Sequence, residues 1–280
     1  KAFGILETGR GRGEVLSSMA MLAVFGALGS NAFALSTVIA LFSALILILG
    51  VLAWFTIDDE AGGQVGRSSE SKVGIKDVLA VLRMPTVWLI AVVILAGYCA
   101  YWGTFRFTSY STDIFAMTVT MAAVISVGKM WLKPAAALVA GFVSDRLGIA
   151  NSVSLLFVVL IASFALFAVM PGTPSLLAVM LVNVAIASLA VFAMRGIYFA
   201  LLEEGGIPMA VTGTAAGVIS VIGYTPDIFM PLLGGVLLDR FPGSQGYKLF
   251  FFAVAGICIA GLVAAQLLRR KASQRLETEA

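Results

Sequence analysis

Four basic side chains lie inside stretches that are otherwise apolar: Arg106, Lys129, Lys133 and Arg195. A lysine or arginine in hydrocarbon costs about 2.5 kcal/mol or more, so such a side chain is expected to face protein, water or a ligand. Asp227 is the only acidic residue well inside such a stretch. This excess of positive charge predicts the binding of a small organic anion in a polar interior between helices.

Other kinds of chemistry find little support in the sequence. The chain contains no histidine, which excludes histidine-based catalysis and metal binding. It also contains no GxSxG, HExxH or Walker motif. We therefore expect no enzyme activity, no metal and no cofactor. Basic residues near apolar spans indicate cytoplasmic loops, so we expect no nucleic-acid partner.

The stretch from Val119 to Gly148, VTMAAVISVGKMWLKPAAALVAGFVSDRLG, positions two of these cations. At helical rise, Lys129 lies about 15 Å from the outer end of its span and Lys133 about 21 Å. Lys129 binds the anion near mid-depth, or carbonyls or a carboxylate of another helix satisfy it. Lys133 precedes Pro134 and lies nearer the cytoplasm, where it binds the anion or reaches the interface through its long stem.

Arg106 and Asp227 are predicted to lie at similar, outer depth, about 30 and 27 Å from the start of their spans. Arg106 binds the solute directly or pairs with Asp227 as an outer gate. Arg195 is predicted near the cytoplasmic end, where it reaches the interface or pairs with Glu203 in a gating role.

Aromatic residues accompany Arg106 in the sequence GYCAYWGTFRF. Tyr98 and Tyr101, and Tyr98 and Trp102, share one helical face. We favour a cavity wall for Tyr98 and Tyr101, because a polar tip on an apolar ring suits a solute site. Trp102 fits either a cavity wall or an aromatic belt at the membrane interface, whereas Phe105 fits the belt better.

The elements that must position these residues are membrane-spanning helices. Hydrophobic residues make up 60% of the 280-residue chain and charged residues 12%, which predicts an all-α, multi-pass membrane protein. The two cysteines, Cys99 and Cys258, lie in spans and are expected to pack as small apolar residues. Eight stretches have the length of a span: 14–33, 35–56, 86–108, 119–143, 152–170, 176–202, 209–238 and 247–268.

Between the second and third spans, the polar linker 57–85 ends in a short amphipathic helix predicted to lie on the membrane surface. Most basic residues outside the spans fall on one side, and the opposite side receives only Arg240 and Lys248. The positive-inside rule then places both ends of the chain in the cytoplasm, in a cell membrane that we take to be the inner membrane.

An internal repeat suggests how the parent protein is built. FGILETG at 3–9 and FALLEEG at 199–205 match at the same place in the order of spans. The offset predicts a parent of two six-span halves, of which about four spans precede this chain. The predicted domains are a truncated span at 1–8, two spans at 9–56, the linker 57–85, a six-helix half at 86–268 and a basic tail at 269–280.

The sequence GFVSDRLG at 141–148 is similar to the loop signature G-x-x-x-D-R-x-G of the major facilitator superfamily. This resemblance implies a solute site near the membrane midplane between two six-helix halves, which rock to expose it on alternate sides. It also implies that Gly141, Asp145, Arg146 and Gly148 act in the cytoplasmic gate, and that a proton or another cation drives symport.

The predicted function is thus secondary active transport of a small organic anion, with the lipid bilayer and the preceding half of the chain as partners. An exporter of amphipathic or cationic compounds on the same fold is the main alternative, and acidic cavity residues would distinguish it. A membrane-embedded enzyme or binder is a third reading, which would need a catalytic pair or a large soluble domain.

Overall fold

The computed structural model describes residues 32–56 and 74–279, together with single positions between 13 and 27. All regular secondary structure in these described residues is helical. The chain divides into two compact units, a smaller one over Gly13–Gly74 and a larger one that contains Ile75–Ala280. Seven helical stretches among the described residues are long and apolar enough to cross a membrane.

The smaller unit contributes one of these spans, helix α1 (Ala32–Thr56). Its sequence is apolar on every side and most of its described side chains are exposed. A helix that is hydrophobic all round is stable where its surroundings are also apolar, as in a bilayer.

The larger unit contains the remaining spans and a short first helix. In chain order its α-helices are α2 (Ile75–Leu82), α3 (Pro85–Gly103), α4 (Phe107–Phe115), α5 (Val119–Leu147), α6 (Ile149–Val169), α7 (Leu177–Ile197), α8 (Leu201–Glu204), α9 (Thr212–Gly223), α10 (Pro226–Arg240) and α11 (Ser244–Glu279).

Three of the spans are interrupted near functional candidates. A 3-10 turn, Thr104–Arg106, separates α3 from α4, and another, Tyr198–Ala200, separates α7 from α8. Helices α9 and α10 meet at Tyr224 and Thr225, directly before Pro226. Proline lacks a backbone donor and its ring clashes with the preceding turn of a helix, so a break at this point is expected.

The core of the larger unit forms where α11 packs along α3 and α6, and where α7 packs against α5. Small residues allow the closest approaches. Gly261 of α11 leaves no space for a side chain, because an added Cβ would lie 2.6 Å from the Cβ of Ala96 and against the ring of Phe157. Gly196 of α7 lies against Ala137 of α5 in a similar way. Helix packing in this unit therefore depends on glycine at these crossings.

The turn between α5 and α6 is fixed by a carboxylate from elsewhere in the chain. Gly148 adopts a φ of 83°, which a side chain would strain. Glu204 accepts hydrogen bonds from the backbone N–H groups of Ile149 and Ala150, at 2.7 and 3.1 Å from Oε2. Glu204 thereby satisfies the first amides of α6 and places a negative charge at the positive end of its dipole.

Most predicted spans correspond to observed helices, with ends that differ by a few residues. The short helix predicted at the end of the linker is observed as α2, and the stretch from 209 to 240 is helical with the break at Pro226. Cys99 and Cys258 are confirmed as buried free cysteines. The predicted span 14–33 and linker residues 57–73 lie almost entirely outside the described residues.

Gly261→Val is expected to lower the free energy of unfolding by about 2 kcal/mol, because the added side chain overpacks the crossing with α3 and α6. The measurement is the thermal unfolding midpoint of the purified protein in detergent. Gly256→Val is the matched control, since nothing lies within 4 Å of an added Cβ on the same helix. Equal midpoints for the two variants would contradict the packing described above.

Glu204→Ala is expected to speed hydrogen exchange of the Ile149 and Ala150 amides by about tenfold to a hundredfold, because a charge-assisted hydrogen bond stabilises by about 1.5–3 kcal/mol. The measurement is hydrogen–deuterium exchange resolved to the start of α6. Glu203→Ala serves as the control, since Glu203 is an exposed neighbour. Unchanged exchange in Glu204→Ala would show that Glu204 does not cap α6.

Candidate functional site

Five aromatic side chains form a continuous row through ring contacts, which we call the aromatic row: Tyr224, Tyr98, Tyr101, Phe105 and Trp102. Ring centroids lie 4.8 Å apart for Tyr98 and Tyr224, and 5.5 Å apart for Tyr98 and Tyr101. Phe105 is 5.1 Å from both Tyr101 and Trp102. None of the five is fully buried, and Phe105 is 44% exposed. The row therefore combines apolar faces with polar tips on a partly open surface.

Lys129 lies behind one end of the aromatic row and is only 4% exposed. Its Nζ donates a hydrogen bond of 2.8 Å to the carbonyl oxygen of Thr104 and lies 5.2 Å from the ring centroid of Phe105. The charge is thus held by a carbonyl dipole and by the negative face of an aromatic ring. Lys129 was expected to bind the anion or to be satisfied by carbonyls or a carboxylate of another helix. The structure shows its contact with a carbonyl oxygen.

The 3-10 turn places that carbonyl in an unusual position. Thr104 O accepts the backbone N–H of Phe107, as the tightened turn requires. A carbonyl oxygen has two lone pairs, so it can accept a second donor, and here that donor is Lys129. The interruption between α3 and α4 therefore provides the partner for a buried cation on α5.

Arg195 lies behind the other end of the aromatic row, 7% exposed. Its Cζ is 4.1 Å from the ring centroid of Tyr101 and 5.5 Å from that of Tyr98. Arg195 was expected to reach the cytoplasmic interface or to pair with Glu203, and in the structure its guanidinium stacks on the aromatic row. A planar guanidinium stacks well on aromatic faces.

Arg106 and Asp227 lie near the row but do not form the predicted outer pair. The Arg106 guanidinium lies flat against Gly234, where an added Cβ would be 2.6 Å from Nη2, and 5.9 Å from the Phe250 ring. Asp227 instead accepts a 2.8 Å hydrogen bond from Nε1 of Trp102. Among the described residues, no contact joins Arg106 to Asp227, so the gate predicted between them is not observed.

Arg106 is half-buried and lines a small cavity. Trp102, Phe105 and Pro231 also line this cavity, whose volume is about 150 Å³. Arg106 is thus the most accessible of the four intramembrane cations, and it lies beside the aromatic row rather than behind it.

Lys133 is one helical turn from Lys129 on α5 and has no exposed surface. Its ammonium does not reach the surface, as interfacial snorkelling would require. The buried charged side chains of the described ranges are Lys129, Lys133 and Arg195, so the buried formal charge there is entirely positive.

The predicted gate residues lie at the α5–α6 turn, apart from the aromatic row. Gly141 is buried in α5, where its carbonyl accepts from the Ser144 hydroxyl, and Asp145 and Arg146 are exposed. The first amides of α6 are bound by both carboxylate oxygens of Glu204.

Sequence reasoning missed three contributors to these arrangements. Tyr224 joins the aromatic row from the α9–α10 break, and the motif GYTP, in which proline follows closely, is a signal that could have indicated it. Phe105 was assigned to the interfacial belt, although it faces Lys129. Glu204 gave no local signal, because its partners lie 54 and 55 residues away.

In the described part of the chain, no group of three or more histidine, cysteine, aspartate or glutamate side chains is arranged to hold a metal ion. The arrangement instead offers positive charge, aromatic faces and hydroxyl donors. This combination suits noncovalent binding of a small polar molecule.

Comparison with family models found no match. Among known proteins, the chain is similar to the inner membrane protein YihN of Escherichia coli (strain K12), with 28% identity over 280 residues that cover 98% of this chain and 66% of YihN. It is also similar to the inner membrane protein YqcE of the same strain, with 26% identity over 270 residues that cover 94% of this chain and 63% of YqcE. The chain thus spans just under two thirds of the length of these relatives.

These findings correct the resemblance drawn from the loop signature. No family model matches, and the names of both relatives give a location in the inner membrane without indicating the major facilitator superfamily. A match of eight residues in one loop was too short to establish a superfamily. The relatives and the seven apolar helices together support a multi-pass integral protein of the inner membrane.

Proposed function

We propose that this chain belongs to a secondary active transporter that moves a small organic anion across the inner membrane. The observation that carries the proposal is that the buried charged side chains of the described residues are all cations, two of which contact the aromatic row. Buried charges inside membrane spans usually belong to solute or ion pathways.

The charges favour an anion on the accessible face of the aromatic row. Lys129 and Arg195 each lie within about 5 Å of a ring of the row, and a charge acts strongly over such distances where water is excluded. The hydroxyl group of Tyr101 can donate a hydrogen bond to a carboxylate, sulfonate or phosphate oxygen. A negatively charged solute would therefore gain both electrostatic attraction and a directed hydrogen bond there.

We assign direct contact to Arg106, and through-ring stabilisation to Lys129 and Arg195. Arg106 is accessible at the edge of the aromatic row, whereas the other two cations are almost covered. Lys133 is fully buried one turn further along α5. In this arrangement positive charge attracts the solute although no lysine side chain is exposed in an apolar cavity.

Interrupted helices support a mechanism of alternating access. Breaks at Thr104–Arg106, at Tyr198–Ala200 and before Pro226 all adjoin residues of the aromatic row or their neighbours. Transporters commonly bind solutes where helices are discontinuous, because backbone groups and bends are available there. The exposed Asp145 and Arg146, next to the turn at Gly148, suit a gate at the C-terminal end of α5.

Lys129→Met is expected to reduce uptake of a transported radiolabelled anion at least about tenfold, because it removes a buried charge behind the aromatic row. The measurement is initial uptake into proteoliposomes that contain the intact protein, screened with sugar acids, sulfonates, carboxylates and phosphate esters. Lys129→Arg should retain most of the uptake, since it keeps the charge.

Lys248→Met is the matched control, because it removes an exposed lysine at the start of α11. It should transport like the unmodified protein. Equal uptake by Lys129→Met and Lys248→Met would overturn the role of Lys129. Uptake of organic cations with none of the anions would instead favour the exporter alternative and overturn the sign of the solute.

Asp227→Asn is expected to abolish accumulation driven by a proton gradient while preserving exchange of labelled for unlabelled anion. Asp227 is an exposed carboxylate bonded to Trp102 of the aromatic row, so its protonation can be sensed where the solute binds. Accumulation and exchange are measured in parallel in the same proteoliposomes. Gradient-driven accumulation that is unchanged in this variant would exclude Asp227 as the coupling carboxylate.

A further inference from the structure

A basic pocket at one end of the larger unit shares no lining residue with the aromatic row. Its volume is about 620 Å³, and its basic lining consists of Arg83, Arg270 and Lys271. Trp88, Leu89 and Leu267 supply an apolar wall. No acidic side chain lines it among the described residues, so the pocket carries a concentrated positive charge beside an apolar surface.

The pocket lies where two membrane spans end on the same side. Helix α3 begins at Pro85, and the apolar stretch of α11 ends by Ala272. The three cations therefore lie at the level where hydrocarbon gives way to lipid headgroups, on the side that the sequence assigns to the cytoplasm.

Trp88 fits this position at the interface. Its side chain is 48% exposed, and its Nε1 donates a 2.8 Å hydrogen bond to the carbonyl oxygen of Leu82. The indole is thus held at the mouth of the pocket with one face open. Tryptophan is enriched at this depth because its ring is apolar while its N–H needs a polar partner.

Helix α2 leads into the pocket along the same surface. Ile75 is 80% exposed and Leu79 48%, four residues apart on one face of the helix. Val81, on another face, is fully buried against the unit. A short helix with one buried face and a second apolar face exposed is suited to lie in the headgroup region of a bilayer.

Helix α3 adds a favourable dipole. No side chain caps its first turn at Met84, and Pro85 follows at the first helical position. The positive end of the dipole therefore points towards the side of the pocket that Pro85 and Arg83 line.

We propose that this pocket binds the phosphate headgroup of an anionic phospholipid of the inner membrane. Arg83, Arg270 and Lys271 bind the phosphate, and Leu89, Leu267 and the Trp88 ring pack against the acyl chains. Basic pockets between helices at the cytoplasmic membrane surface are suited to phosphate headgroups, and the apolar wall favours a lipid over a soluble phosphate. The site is independent of the proposed transport function.

The test measures how much each ligand raises the thermal unfolding midpoint of the delipidated intact protein in detergent. The probes are phosphatidylglycerol, phosphatidylcholine, glycerol phosphate and inorganic phosphate. Phosphatidylglycerol is expected to raise the midpoint in a saturable way, whereas the other three probes leave it unchanged at equal concentration.

Arg270→Gln with Lys271→Gln is expected to weaken the apparent affinity for phosphatidylglycerol about thirtyfold, because two charges at a membrane surface are lost. The matched control is Arg240→Gln with Lys248→Gln, which removes two exposed basic side chains elsewhere in the larger unit. It should bind phosphatidylglycerol like the unmodified protein.

The other outcomes overturn the proposal in distinct ways. Equal stabilisation by glycerol phosphate or inorganic phosphate would show a site for soluble phosphate. Equal loss of affinity in both double variants would show that the overall charge of the protein, and not this pocket, attracts the lipid. Unchanged affinity in the Arg270 and Lys271 double variant would show that the lipid binds elsewhere.

Discussion

The constraint on which this structure depends is the cost of keeping a positive charge inside an apolar helical bundle. Lys129 meets that cost with a carbonyl oxygen and an aromatic face, and Arg195 stacks on two further rings. Both partners come from other helices: the turn between α3 and α4 supplies the carbonyl oxygen that binds Lys129, and α3 supplies the rings on which Arg195 stacks.

The arrangement also explains why aromatic residues, rather than aliphatic ones, separate the cations from the accessible surface. A leucine side chain would exclude water equally well but would leave the charge without an attractive neighbour. An aromatic ring presents negative potential on its face and excludes water as well. Tyrosine also adds a hydroxyl at its tip, so Tyr98 and Tyr101 combine an aromatic face for the buried Arg195 with a polar group.

The helices could be predicted from the sequence because length and hydropathy decide whether a segment spans a membrane. The break before Pro226 was equally foreseeable, since proline acts locally. The partners of the charged residues could not be predicted from the sequence. Whether Asp227 meets Arg106 or Trp102, and whether Arg195 points towards the surface or the aromatic row, depends on how helices distant in sequence rotate against each other. The depth estimated from helical rise fixes the height of a Cα atom, but a long side chain can extend several ångströms either way.

The hydrogen bonds of Glu204 have a mechanical meaning beyond stability. A single carboxylate joins the short helix α8 to the first turn of α6. Because these hydrogen bonds connect the two helices, a displacement at the end of α7 would also act on the first turn of α6 and on the corner next to Asp145 and Arg146.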